Sequence, residues 1–380
     1  MAIEGTISGT RSPARPSRPP NRTRRATGTP LTTGRTDRHH VLLPLAGLAL
    51  IFAGCAGGAG TPTALPSVGG SPTASVTQAS AATSASPSRA APSTAVVLGG
   101  RLLFSRYNMA TQNPVVSFVS RPDGSAETEV PLPWTEPANR WSRSGKEIAV
   151  ATLLADERVG TAIIAPDGTV LRVLEIPDPT LNLPCFVWSI DDARLACEAW
   201  DDADPSRRGI YSVRASDGGD LQRVSSGAND LGANDLPGDY SPTGQLVFKR
   251  ATDGDDGPGP LMLVDASGGE PRTLAAGSYE DPGRFAPDGA SVLTSESGRI
   301  VIMDLDGKVL HMITPWGDSF FFFGAVWSPD GTRIAFSRAV GGGPFSDIWT
   351  SLPDGTDPRQ VTRTPEPVNE IGVDWGVGGG

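Results

Sequence analysis

WSPDGTRIAFSR, from Trp327 to Arg338, is the stretch that decides the fold. An aromatic, a Ser-Pro-Asp-Gly turn and an apolar alternating run follow one another within twelve residues. Degraded copies begin at Trp141 (WSRSGKEIAVA), Trp188 (WSIDDARLACE), Tyr240 (YSPTGQLVFKR) and Phe285 (FAPDGASVLTS), and a stub, WGVGG, starts at Trp375. Successive aromatics lie 47, 52, 45, 42 and 48 residues apart. Self-similarity at such a period means one supersecondary unit used repeatedly.

The unit follows from its parts. Asp-Gly between apolar runs is a strong hairpin signal, because glycine accepts the positive φ that tight turns need. Each period carries a second turn of this kind: Asp123-Gly124, Asp167-Gly168, Asp217-Gly218, Ser267-Gly268, Asp306-Gly307 and Asp354-Gly355. Runs such as AIIA, IYSVRA, LMLVDA and IVIMDL flank them, and their alternation and β-branched content predict strands. Four strands and two tight turns per period describe one propeller blade. No stretch after residue 60 carries a sustained 3.6-residue stripe, so the sequence predicts an all-β fold with almost no helix.

The ends predict the ring. The copy at Trp375 has a first strand and no successors, whereas RLLFSR (Arg101 to Arg106), VVSFVS and AETEVPL supply second, third and fourth strands without a first. Joining them yields a six-bladed β-propeller over residues 99–380, closed by the C-terminal strand, with two sheet edges removed from solvent.

WSPDG, a strand, an aspartate-glycine turn and a threonine-ending fourth strand (PRQVTRTP) resemble the propeller repeats of TolB and its relatives, over roughly residues 100 to 380. The resemblance implies architecture more than activity, since one fold hosts many functions. TolB carries an α/β domain ahead of its propeller, and the residues before 99 read differently here.

Residues 1–54 hold eight arginines against Glu4 and Asp37, then the apolar run VLLPLAGLALIFAG. A basic segment, a short apolar core and small residues describe an export signal, and the core is too short to span a bilayer. Ala53-Gly54-Cys55 resembles a bacterial lipobox, so Cys55 is the expected lipidation site and membrane anchor, with secretion of an unmodified chain as the alternative. The long basic stretch also fits a true start downstream of Met1. Residues 55–98 are mostly Ala, Ser, Thr, Pro and Gly with one charge, Arg89, a composition that predicts a disordered stalk between membrane and head.

Removing the signal's eight basic and two acidic residues from totals of 32 and 42 leaves 24 and 40, a net charge of −16. Such a surface disfavours nucleic acid. Cys185 and Cys197 fall on either side of a turn near Asp191, opposite one another or one residue out of register, and export permits their disulfide. His39 and His40 lie in the signal, which leaves His311, in the strand pattern VLHMIT, as the one histidine of the head. A multi-histidine metal site is excluded, no G-x-S-x-G elbow occurs, and no cofactor is expected.

Surface loops then carry the expected function. Loops between strands two and three and between blades share one face, and the long ones start at Asp201 (DDADPSRRG), Gly227 (GANDLGANDLPGD), Thr252 (TDGDDGPGP) and Ala339 (AVGGGPFSD). Asp201, Asp202, Asp204, Asp230, Asp235, Asp253, Asp255 and Asp256 are the candidate contact residues there, with a weak calcium possibility at Asp253, Asp255 and Asp256. In the run Phe320 to Phe323, Phe320 and Phe322 are candidates for the channel mouth, against a core role. The expected function is a membrane-tethered, monomeric, extracytoplasmic module that binds an envelope protein, peptide or glycan. The alternative is a carbohydrate-active propeller using carboxylates at the channel mouth, which needs an opposed pair.

Overall fold

The computed structural model describes residues 99–108, 110–111, 115–132, 139–226, 234–251, 257–340 and 345–378, the side chain of Phe320 apart. The expected signal, Cys55 and the stalk lie outside the described residues. Among the described residues, twenty-four strands form six four-stranded antiparallel sheets, with one short 3₁₀ turn, Pro205–Arg207.

Five blades take their strands in chain order. The innermost strands of blades two to six are Arg140–Trp141, Cys185–Trp188, Asn234–Tyr240, Arg284–Phe285 and Ser319–Trp327. Blade one is closed from the far end of the chain: Val368–Gly376 supplies its innermost strand and pairs with Arg101–Asn108, Trp375 opposite Leu102 and Glu370 opposite Arg106. The six-bladed ring and its closure are therefore as the repeats require. GANDLGANDLPGD is only partly a loop, because Asn234–Tyr240 pairs with Gln245–Ala251 through a register shift at Pro237 and Asp239. A proline at a bulge keeps its place in a sheet without a ladder donor.

The recurrent turn explains its own residues. Ser328 Oγ accepts from the Arg333 amide (2.9 Å), and the Asp330 carboxylate accepts from the Ser328 hydroxyl (2.6 Å), the Thr332 amide (3.1 Å) and the Thr332 hydroxyl (2.8 Å). Gly331 sits at φ 69°, where a Cβ would be strained. The second turn has a further task. Gly124, at φ 80°, lies against blade six so closely that a Cβ would stand 2.1 Å from the Val361 carbonyl oxygen. Gly218 meets the Glu175 carbonyl of blade two at 2.2 Å in the same way. The Asp-Gly pair thus both reverses the chain and lets blades touch.

Packing runs between blades. Six buried clusters fill the six seams; Leu102, Phe104 and Val373 of blade one, for example, meet Val326, Ala335 and Ile348 of blade six. A middle strand has a neighbour on both faces, so Val159–Ile164 is buried throughout, whereas the outer strand Val309–Ile313 is exposed at four of five positions. Each fully buried Leu or Phe contributes about 1.5–3 kcal/mol. Cys185 and Cys197 are directly opposed in blade three and joined by a disulfide inside its seam with blade two.

Candidate functional site

Every innermost strand carries one of the recurrent aromatics at, or one residue before, its tight-turn end. Trp141, Trp188, Tyr240, Phe285, Trp327 and Trp375 together line a central cavity of about 360 Å³. The residue just before each aromatic also lines it. In ring order from blade one these are Asp374, Arg140, Val187, Asp239, Arg284 and Val326. The sequence Asp-Arg-Val thus repeats after three blades, and three of six blades is half a turn. Arginine faces arginine across the channel, aspartate faces aspartate and valine faces valine.

The hydrogen bonds obey the same half-turn. Asp374 accepts the Trp141 amide at 2.9 Å, and Asp239 accepts the Phe285 amide at 3.1 Å, each from the next blade round. The Trp188 indole donates to the Arg140 carbonyl at 3.2 Å, and the Trp327 indole to the Arg284 carbonyl at 3.3 Å. Arg284 reaches two blades round to Asp374 at 3.4 Å. Arg140 reaches equally far but donates to the Gly238 carbonyl at 2.6 Å, not to Asp239.

One substitution causes that difference. Where blade five has Pro287 in its turn, blade two has Arg143, whose guanidinium forms a short ion pair with Asp239. Burial works against the Arg143 charge, but Asp239 outweighs it and holds the guanidinium more firmly protonated than usual. Arg140 is left without a carboxylate partner among the described residues. Burial, and then repulsion from Arg284, pulls its guanidinium well below the usual arginine range, to about 9. Three arginines and two aspartates line the mouth, one net positive charge in an otherwise acidic head. Both carboxylates are committed to backbone amides and arginines, so the arrangement suits holding an anionic group more than general acid–base chemistry.

No protein-family model matches the chain. The Tol-Pal system protein TolB of Anaeromyxobacter dehalogenans (strain 2CP-C) is 30% identical over 118 residues, 30% of this chain and 26% of that protein. TolB of Anaeromyxobacter sp. (strain K) matches to the same extent. The chain spans about a quarter of the length of these curated relatives. Among solved structures, TolB from Acinetobacter baumannii superposes with a TM-score of 0.54 at 18% identity, over 73% of this chain and 66% of that one. The head shares the β-propeller fold of that structure. Hydrazine synthase from Kuenenia stuttgartiensis shares the fold at a TM-score of 0.56 and 9% identity, over 73% of this chain and 47% of that one.

The loop-face candidates of the propeller have separate fates. Asp201 is buried; it accepts from Arg207 at 3.1 Å and from the Ala203 amide at 2.9 Å, and hydrogen bonds from Thr180 and that amide hold it below the usual carboxylate range. Asp204 caps the 3₁₀ turn through the Ser206 amide (3.0 Å), and exposed Asp202 accepts from the Asn182 side-chain amide at 3.3 Å. Asp230, Asp253, Asp255 and Asp256 fall outside the described residues, and with them the calcium possibility; among the described residues no acidic, cysteine or histidine cluster could hold a metal.

Asp235 is no contact residue, for it is fully buried. It forms ion pairs with Arg250 (2.7 and 2.9 Å) and accepts from Ser225 (2.7 Å). Its half-turn counterpart is Glu370, paired with Arg106 at 2.7 Å and with the hydroxyl of Thr362. Phe322 is likewise fully buried, its ring 4.5 Å from that of Trp316 and 5.0 Å from that of Phe336, so it belongs to the seam between blades five and six. Phe320 lies in the strand Ser319–Trp327. His311 is exposed on an outer strand.

Sequence reading passed over Arg140, Arg143, Asp239, Arg284 and Asp374. The signal that could have found them is the column before the aromatic, which reads Arg, Val, Asp, Arg, Val, Asp along the chain.

Proposed function

We propose that this chain is an extracytoplasmic binding module, a monomeric propeller head held to the membrane through lipidated Cys55 and a stalk over residues 55–98. The partner is an envelope protein, peptide or glycan, and no catalysis is assigned. The observation that carries a binding role is the tight-turn mouth, where an aromatic-lined cavity of about 360 Å³ holds a guanidinium, Arg140, without a carboxylate partner among the described residues. Pockets of about 300–1,000 Å³ with few polar groups on apolar walls are the usual form of ligand sites. The opposite, loop-rich face, with exposed Asp202 and Asp204, is the second surface available to a macromolecular partner.

Export is supported by the arginine-rich leader with its apolar core and by the disulfide between Cys185 and Cys197. The relatives' name, Tol-Pal system protein TolB, suits a role in the envelope. The test is metabolic labelling with an alkynyl fatty acid in a bacterial host, followed by fractionation. The wild-type protein is expected to carry label in the membrane fraction, and Cys55→Ser to lose both label and membrane association. An unlabelled wild-type chain in the cytosol overturns the reading. In vivo crosslinking of the wild-type protein is expected to trap an envelope component, and none recovered counts against a binding role.

A further inference from the structure

The two halves of the mouth are alike except at one point, and that point defines a ligand. Arg284 finds a carboxylate two blades round, Asp374, at 3.4 Å. Arg140 is its half-turn equivalent, but Asp239, the carboxylate in the matching place, is taken by Arg143. Arg143 occupies a turn position held by proline in the copies at Tyr240, Phe285 and Trp327. An arginine there supplies a third cation and displaces Arg140 onto a carbonyl, that of Gly238. The result is a guanidinium with spare donors, facing a second guanidinium, inside a cavity walled by indole and phenyl rings.

A charge in this setting is unfavourable while the cavity holds only water, because burial and like charge both oppose it. An incoming carboxylate reverses both effects. It offers the planar two-oxygen edge that a guanidinium binds with parallel hydrogen bonds, and it brings the mouth to neutrality. Trp188, Phe285, Trp327 and Trp375 present apolar walls for whatever carries the carboxylate, and Ile190 (45% exposed) and Val377 (38% exposed) extend that lining. The cavity is large enough for one or two amino-acid residues or a small aromatic acid.

We propose that the channel mouth is a carboxylate receptor, in which Arg140 and Arg284 take the carboxylate from opposite walls and the ring of aromatics holds its apolar stem. Arg143 is a positioning residue, which frees Arg140 by occupying Asp239. The proposal rests on the binding reading and names the ligand chemistry of that site.

Four of the eight tryptophans, Trp141, Trp188, Trp327 and Trp375, line the cavity, so intrinsic fluorescence reports occupancy. The purified full-length protein is titrated with N-acetylphenylalanine, with N-acetylphenylalaninamide and with inorganic phosphate. The acid is expected to give a saturable change with at least tenfold tighter binding than the amide, and phosphate to compete only weakly. Arg140→Gln should weaken the acid at least tenfold without lowering the melting temperature. Arg143→Pro, which gives blade two the proline of the copies at Tyr240, Phe285 and Trp327 and frees Asp239 for Arg140, should weaken it as well. Equal affinity for acid and amide, or no saturable response to the acid at millimolar concentration, overturns the proposal on the wild-type protein alone. Phosphate binding without acid binding, or full affinity in both variants, overturns it too. Partner capture that persists after such a result leaves the binding module standing and removes only the carboxylate.

Discussion

Replacing Arg140 by methionine should make the protein more stable. The guanidinium falls well below the usual arginine range, to about 9, in the folded protein, which means that folding weakens its hold on a proton. At about 1.4 kcal/mol per tenfold change in proton affinity, the ceiling on the cost of keeping Arg140 charged is about 5 kcal/mol. Channel water screens the group, so a working range is about 2–5 kcal/mol. Methionine keeps an unbranched stem against the same walls and forfeits the hydrogen bond to the Gly238 carbonyl, worth about 1 kcal/mol. The net expectation is a gain of about 1–4 kcal/mol, a rise of at least about 2 °C in melting temperature for a head of this size. The pH dependence has a definite sign. Below about 9 both folded and unfolded forms carry the proton and the penalty is complete; above about 9 the folded form sheds it while the unfolded form still holds it, and the penalty fades. Urea denaturation of wild type and Arg140→Met at pH 7 and pH 10 should therefore show a gap that narrows at the higher pH. A variant less stable than wild type at pH 7 would refute the reasoning, because Arg140 would then be a strut and not a group held at a cost for a ligand.

Other parts of the molecule give independent expectations. Cys185→Ser with Cys197→Ser removes a crosslink closing a twelve-residue separation, and thermal melting should fall by the equivalent of about 2–3 kcal/mol; an unchanged melt, with and without reductant, would show that the bond contributes nothing. Arg250→Met leaves Asp235 charged and fully buried beside Ser225, and urea denaturation should register a loss of about 3–5 kcal/mol, while adding Asp235→Leu should recover most of it. Equal losses in the single and double variants would argue against an uncompensated charge as the cause. Ending the chain at Glu366 removes the strand Val368–Gly376 with Trp375 and Glu370, opening the ring and exposing the edge of Arg101–Asn108; the product should be insoluble, and a soluble monomer with native β-sheet circular dichroism would contradict ring closure as the basis of the fold.

Much of the architecture was legible because its determinants are local. Asp330 satisfies its own turn within two residues on either side, and Gly331 accepts the positive φ there, so the motif announces a hairpin wherever it occurs. Repetition then supplied the count, and the unequal ends supplied the closure. The mouth was not legible because its partners are remote. Arg143 meets Asp239 across 96 residues, and Trp141 donates its amide to Asp374 across 233. No spacing rule links such pairs until the ring order is known. Asp235 read as a loop acid because Gly-Ala-Asn-Asp before Leu-Pro-Gly has the composition of a turn, yet the ladder to Arg250 overrides that composition. Phe322 was ambiguous for another reason. Alternation places two of four consecutive phenylalanines on each face, but only the position of blade five shows that Phe322 enters the seam.

The same contrast locates function. The turn residues that recur make turns and seams, the recurrent aromatics wall the mouth, and the proposed carboxylate site draws its charges from positions where copies differ: Arg143 in place of proline, and the alternation of Arg, Val and Asp before the aromatics. The most direct test of the account is a crystal structure of the protein grown with N-acetylphenylalanine. The account predicts the carboxylate within hydrogen-bonding distance of the Arg140 guanidinium, on the side facing Arg284, with the phenyl ring against the tryptophans of the mouth. An acid bound elsewhere, or a mouth holding only water at saturating concentration, would contradict it.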